Sequence, residues 1–433
     1  MGIRPGKAEA ALDGAIEVSL WAMIFVLPFS ISLLEAFFLI ALALWVIKRF
    51  IVYHQAGHFK KGMAGLISAF APIKTELRLP LLVFVFMGFL STLTSVSLIL
   101  SLKGFFFKLM EWLLIYFIVA ETINDRKKLN NLLVVIVVSM ILIAVDALFQ
   151  SVTGVDFIRH HGAFIQTKPI VVDAFNRISG PFKNPNDLAA WLLVMVPLAL
   201  SLACFKKGRR PAKIGMWVLT CALVACLVLT YSRGAQIAAI VSLAIFGILK
   251  DRRFLVFIIV ILLALFFISS RPARERMGSL TNSIVKMDDV SMSFRIILWR
   301  EAAAIIKDYP VLGCGLNTYT VTAPRYQLDR ETGYYPHNCY LQMAAEMGIA
   351  GLAVFIWIII SIFKNSLSAL KKIDDSFYKT ILLGLMIGLS GFLAHSFIDT
   401  DIYALQVGNL MWFVMGLISA ARRIALADAG IRL

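Results

Sequence analysis

The sequence predicts an all-α polytopic membrane protein, on three observations. Of 433 residues, 60% are hydrophobic and only 16% charged, whereas a soluble chain carries about 25% charged residues. Apolar stretches near twenty residues long recur from end to end, each able to cross about 30 Å of hydrocarbon as a helix. Only helices and closed barrels satisfy the backbone in lipid, and these runs are far too long for barrel strands.

About twelve transmembrane helices are expected: 16–31, 32–48, 80–100, 104–121, 130–150, 187–204, 213–230, 235–249, 254–270, 346–363, 378–397 and 403–421. The first two are joined only by "PFSIS", a tight hairpin. The first lacks a small-residue cleavage site and reads as an anchor, not a removed signal peptide. Residues 1–433 therefore read as a single integral membrane domain with two long outer loops, 151–186 and 271–345.

Lys and Arg set the orientation. One set of loops reads "KRFIVYHQAGHFKKG", "DRKK", "KKGRRPAK", "KDRR" and "KNSLSALKK". The other short loops, "PFSIS", "SLKG", "YSRG" and "IDTD", are nearly free of both. The basic set is expected on the cytoplasmic side, together with both termini. Most of the net charge of +16 is then spread over short loops, so it is no nucleic-acid signature and no nucleic-acid partner is expected. The long outer loops differ. Residues 151–186 carry Arg159, Lys168, Arg177 and Lys183 against two Asp, and 271–345 carry nine Lys/Arg against seven acids. Orientation does not ask for arginines there; an anionic ligand would.

A transporter would place ionisable residues near the midplane, on broken helices. Here the mid-span positions are almost clean, and polar residues collect at the outer ends of helices. A site at the membrane surface suits a lipid substrate with a polar head. There is no nucleotide-binding glycine loop and no Asp-rich metal motif, so neither cofactor nor metal is expected. Cys314 and Cys339 lie on the outer side, where a disulfide is permitted. His160-His161 lacks further ligands at zinc spacing. Glu111 and Asp146, near or within spans, read as packing hydrogen-bond residues.

"SFRIILWREAAAIIKDYP" has helical spacing, with Arg295 and Trp299 one turn apart and Arg300 beside them. Two readings stand: an interfacial helix whose arginines snorkel to headgroups, or an anion clamp. In "YYPHNCY", Pro336 fits the first turn of a helix. His337 would follow in that turn, where the helix N-terminus disfavours the imidazolium. A structural histidine and a proton acceptor are both open. Gly348 and Gly351 would let a neighbouring helix approach. "FNRISGPFKNPNDL" offers Arg177 and Lys183, with Asn186 or Asp187 as helix cap. Arg233 in "YSRG" stands alone against the charge bias. His395 and Asp399, at the outer end of the eleventh span, are placed to buttress a site.

"HNCYLQMAAEMGIAGL" resembles the signature of bacterial O-antigen ligases: His337-Asn338, nine residues, then Gly348 and Gly351. "RISGPFKNPND", "YSRG", "SFRIILWREA" and "GCGLNTY" are similar to the same superfamily in order. The resemblance implies a GT-C-like glycosyltransferase that inverts the anomeric carbon without a metal ion. It would work at the periplasmic face of the bacterial inner membrane. The implied donor is an O-antigen glycan on undecaprenyl pyrophosphate, and the implied acceptor is the lipid A–core oligosaccharide. His337 would be the catalytic base. Arg177, Arg233, Arg295, Arg300 and Lys183 would hold the pyrophosphate, with Asn338, Trp299 and Asp399 in support. The related O-antigen polymerases and protein O-oligosaccharyltransferases remain alternatives, and a lipid-linked glycan transporter is a distant one.

Overall fold

The computed structural model describes residues 7–55, 65, 70, 73, 75–160, 162, 164–166, 175–205, 209–249, 290–327 and 334–431. The expected span 254–270, and with it Lys168 and His161, lies outside the described residues.

The chain begins with a helical hairpin, α1 (Lys7–Val26) and α2 (Ile31–Gln55), whose turn falls at the expected "PFSIS". Next come α3 (Arg78–Leu93), then α4 (Leu98–Gly104) and α5 (Met110–Thr122), continuous through a π turn at Phe105–Leu109. The long α6 (Arg126–Thr153) starts on an Asp125 cap, whose side chain accepts from Lys128 N–H at 2.9 Å. It stops at Gly154, φ +80°, the left-handed residue that ends many helices. Then follow α7 (Pro185–Ala203), α8 (Arg210–Leu229), α9 (Arg233–Leu249) and α10 (Val290–Asp308). The short α11 (Tyr319–Thr322), α12 (Cys339–Lys372), α13 (Ser376–His395) and α14 (Leu405–Asp428) complete the order.

Among the described residues, seven helices are long and apolar enough to cross a membrane: α2, α6, α7, α8, α12, α13 and α14. Helices α3 and α9 are apolar but shorter. The protein is thus helical and polytopic. Two expected spans are redrawn. The span placed at 104–121 is the C-terminal part of a helix that begins at Leu98, and that placed at 346–363 lies inside the longer α12.

Helices α7, α13 and α14 are buried nearly all round, whereas α2 and α8 expose most of their apolar surface, as lipid-facing helices do. Close approach sets the inner contact. A Cβ at Gly388 of α13 would lie 2.6 Å from the Val194 carbonyl of α7, so only glycine fits that crossing. Ser201 Oγ donates to Thr380 O at 2.6 Å, and Ser242 Oγ to Ile387 O at 2.9 Å. Such bonds tie helices together where no water competes. Glu111 is a packing residue as expected: Asn409 Nδ2 donates to it at 2.5 Å. Asp146 accepts the Phe157 and Ile158 N–H groups at 3.0 and 3.2 Å.

The two ends of the bundle differ. One carries ion pairs: Lys48–Asp13 at 2.6 Å, Arg126–Asp375 at 2.7 Å, Arg49–Glu121 and Arg422–Glu76. Chain direction puts the start of α12, the end of α13 and the start of α9 at the other end. That end also carries a feature the helical reading missed, a small antiparallel pair of strands. β1 (Phe164–Gln166) pairs with β2 (Phe175–Arg177), with Phe164 opposite Arg177.

Candidate functional site

Four polar segments converge on an open cleft of about 210 Å³ at this end. Arg177 comes from β2, Arg233 from the first turn of α9, Arg295 from α10 and His337 from just before α12; all four line the cleft.

Each is fixed by its own local structure. Arg177 is 9% exposed. Its Nε–H donates to the Thr230 carbonyl at 2.7 Å, and Nη2 donates to Asn186 Oδ1 at 2.9 Å. Arg233 follows a tight turn in which Tyr231 takes φ +48°. There is room for that turn because residue 234 is glycine: a Cβ there would sit 2.2 Å from Ile398 Cδ1. Helix α7 is capped by Asn184, which accepts from Asn186 N–H at 2.9 Å, and not by Asn186 or Asp187 as expected. Asn186 is thereby released to bridge Arg177 and Asp399, donating to Asp399 Oδ2 at 2.5 Å.

The expectation for His337 needs correction. Helix α12 begins at Cys339, with Asn338 as its cap: Asn338 Oδ1 accepts the Tyr340 and Leu341 N–H groups, both at 3.0 Å. His337 therefore precedes the helix, in a left-handed conformation with φ +46°. For a non-glycine residue this is strained by about 1–3 kcal/mol, and such strain clusters at functional sites. Its partner is not the helix terminus but Asp399, whose Oδ1 lies 3.1 Å from His337 Nδ1.

Asp399 is the hub. Oδ1 also accepts the Thr400 N–H at 2.8 Å, and Arg295 Nη2 stands 4.0 Å from Oδ2. Burial pushes its carboxyl up. The His337 hydrogen bond and the nearby His395 and Arg295 more than reverse this, holding it well below the usual carboxylate range. An ionised Asp399 can only accept, so Nδ1 of His337 donates and Nε2 is left to serve the cleft. Cys339 fixes the height of the Asp399 loop. Its N–H donates to Ser396 O at 2.9 Å, its thiol to Asp399 O at 3.2 Å, and its sulfur accepts Ile402 N–H at 3.3 Å. Cys314 and Cys339 are both free and buried, so the permitted disulfide is not formed.

Arg177 has its pKa lowered to about 10, by burial first; Asp399 opposes this, and the Arg295 and Arg233 charges add to it. Three guanidinium groups thus line one cleft, and none of its described lining residues is an Asp or Glu; Asp399, Asp401 and Asp187 stand behind that lining. That excess of positive charge favours an anion with several oxygens.

Other expected residues stand apart. Asn338 supports the site as a helix cap. Trp299 does not line the cleft, and its indole Nε1 is buried without a hydrogen-bond partner. Arg300 and Lys183 are exposed and outside the cleft lining. Gly348 does admit a close neighbour, but the neighbour is a loop and not a helix. At φ +74° and ψ 173° it breaks the helical path of α12. Gly315 N–H donates to Glu346 O at 3.0 Å, and Ile349 N–H to Pro310 O at 2.9 Å. The loop 310–315 is thus stitched to the break. His395, expected beside Asp399 as a buttress, lines the cleft wall, whereas Asn186 and Cys339 carry no signal as site residues in sequence spacing alone.

A family model described as O-antigen ligase matches residues 218–356, a stretch that contains Arg233, Arg295 and His337. The O-antigen ligase of Salmonella typhimurium (strain LT2) is 24% identical over 264 residues, 57% of this chain and 64% of that protein. The exopolysaccharide production protein ExoQ of Rhizobium meliloti (strain 1021) is 24% identical over 145 residues, 31% of this chain and 33% of that protein. The chain therefore spans less than two thirds of the length of these curated relatives. Over the matched domain, and in both relatives, the chain is similar to the O-antigen ligase family.

Proposed function

We propose that the protein is an inverting, metal-independent glycosyltransferase that moves an O-antigen glycan from undecaprenyl pyrophosphate onto a hydroxyl of the lipid A–core oligosaccharide. In this reading it is a twelve-span, GT-C-like protein of the bacterial inner membrane, with both termini cytoplasmic. The cleft faces the periplasm, between the loop regions 151–186 and 271–345. The observation that carries the reading is the pairing of an oriented imidazole, His337 on Asp399, with three cleft arginines.

The chemistry needs these two parts. A sugar hydroxyl is a weak nucleophile; a neutral imidazole that takes its proton as the bond forms contributes about 10²- to 10⁴-fold. His337 Nε2 is the atom that would do so. The diphosphate leaves once its growing charge is held. Each charge-assisted hydrogen bond contributes about 1.5–3 kcal/mol, most usefully where charge develops in the transition state. Arg177, Arg233 and Arg295 are assigned to it. Lys183 and Arg300, outside the cleft, are left to membrane lipid headgroups. Direct attack of the acceptor oxygen on the anomeric carbon, opposite the departing diphosphate, inverts that carbon in one step.

A second reading is a polymerase whose acceptor is another polyprenyl-linked glycan; one of the two relatives is named for exopolysaccharide production and not as a ligase. The test is transfer by the purified protein from a defined polyprenyl-pyrophosphate glycan in EDTA, offered either acceptor. Transfer to lipid A–core supports the ligase. Chain growth on the lipid-linked glycan alone supports the polymerase.

A further inference from the structure

A second His–Asp pair lies in the wall of the same cleft, and the chemistry above does not use it. His395 ends α13. Its Nδ1 is 2.8 Å from Asp401 Oδ2, and Ser396 Oγ donates to the same oxygen at 3.3 Å. The His395 and Asp401 side chains are only 1% and 2% exposed, yet His395 lines the cleft beside the three arginines. The ring edge that faces Gly234 carries Cδ2, 3.4 Å from where a Cβ at that glycine would stand. Nε2 is bonded to Cδ2 and is the ring nitrogen that Asp401 does not engage. Among the described residues the hydrogen bonds of the ring run through Nδ1 alone.

A buried imidazole–carboxylate pair is a costly way to stabilise a fold. Here the pair stands among Asp399 of the 396–400 loop, Asp187 of α7 and Arg295 of α10, with Arg177, Arg233 and His337 also on the cleft. The two histidines are placed differently. The His337 side chain is 37% exposed, at the mouth, and that of His395 is 1% exposed, deep in the wall. A hydroxyl acceptor arriving from solvent meets the first. A diphosphate drawn in by the arginines meets the second.

We propose that His395, as an imidazolium whose Nδ1–H is held by Asp401, protonates the departing diphosphate through Nε2–H; this rests on the transferase reading. As the acceptor oxygen bonds to the anomeric carbon, the bond from that carbon to the diphosphate oxygen breaks and leaves its electron pair on that oxygen. The acceptor proton passes to His337 Nε2, and the proton on His395 Nε2 passes to a diphosphate oxygen. Exchange with water restores both rings. No electron is gained or lost.

The test is the pH profile of kcat/KM for transfer in the wild type, His395→Gln, Asp401→Asn and His337→Ala. The wild type is expected to show an acidic limb from the base and an alkaline limb from the acid. His395→Gln should lower kcat at least about tenfold, with little change in donor KM, and should remove the alkaline limb. Asp401→Asn should shift that limb to lower pH. A merely structural role would reduce the folded fraction without reshaping the profile. An active wild type with an unchanged rate and alkaline limb in His395→Gln overturns this inference alone. A wild type that transfers nothing from a polyprenyl-pyrophosphate glycan overturns the transferase reading and this inference with it. If His395→Gln does not fold, the wild-type profile decides, because a missing alkaline limb overturns the proposal.

Discussion

The Asp399 carboxylate meets the His337 ring across 62 residues of sequence, Oδ1 to Nδ1 at 3.1 Å. The contact selects which ring nitrogen carries the proton. It also ties the His337 segment to the Asn186–Arg177 chain through the second carboxylate oxygen.

Asp399→Asn keeps the shape and removes the charge. An amide can present its NH₂ to Nδ1 and stabilise the tautomer that has its proton on Nε2, which cannot act as a base toward the cleft. Transfer is expected to fall by about 10²-fold or more, with the protein still folded and still binding donor. Steady-state kinetics and donor binding in detergent check this; unchanged kcat would remove Asp399 from the orienting role.

Arg233 separates a diphosphate contact from a lipid contact. Arg233→Ala should weaken donor binding and slow transfer. Arg233→Lys keeps the charge but loses the planar fork that matches phosphate oxygens, so it should restore only part of the activity. Were Arg233 only snorkelling to headgroups, Lys would serve as well as Arg. Full activity and unchanged donor affinity in the Lys variant would leave the clamp to Arg177 and Arg295.

The two glycines of the His-x₁₀-Gly-x-x-Gly motif should respond differently. A Cβ at Gly348 would lie 1.9 Å from the Val311 carbonyl, at φ +74°. At Gly351 it would meet only side-chain atoms of Met347, at 2.5 Å for Cβ. Gly348→Ala is therefore expected to destabilise the fold by more than about 2 kcal/mol, and Gly351→Ala by clearly less. Thermal unfolding in detergent compares them, and equal losses would contradict this assignment.

Because Cys314 and Cys339 are unpaired and buried, alkylation after denaturation without reductant should find all five cysteines free. A mass short by two alkyl increments and two hydrogens, regained when reductant precedes alkylation, would show a bridge.

Much of this was legible in the sequence, for definite reasons. Hydrocarbon thickness fixes span length, so most helices are readable as apolar runs. The isolated Arg233 and the histidine of "YYPHNCY" stood out against an apolar background. Contacts between distant segments were not legible. Nothing in the spacing of Asn184, Asn186 and Asp187 says which one caps α7. Pro336 suggested a helix start three residues too early, because the Asn338 cap competes for the same backbone groups and wins with two N–H contacts. The site role of Cys339 depends on where the 396–402 loop passes, which packing decides and local pattern does not.

The most direct measurement is transfer by purified protein from an undecaprenyl-pyrophosphate glycan to lipid A–core in EDTA, comparing wild type with His337→Ala. The expected result is product from the wild type, undiminished by chelation, and a loss of at least about a hundredfold in the variant, with donor binding retained. Near-normal transfer by His337→Ala, or wild-type activity that EDTA abolishes and a divalent ion restores, would contradict the central claim.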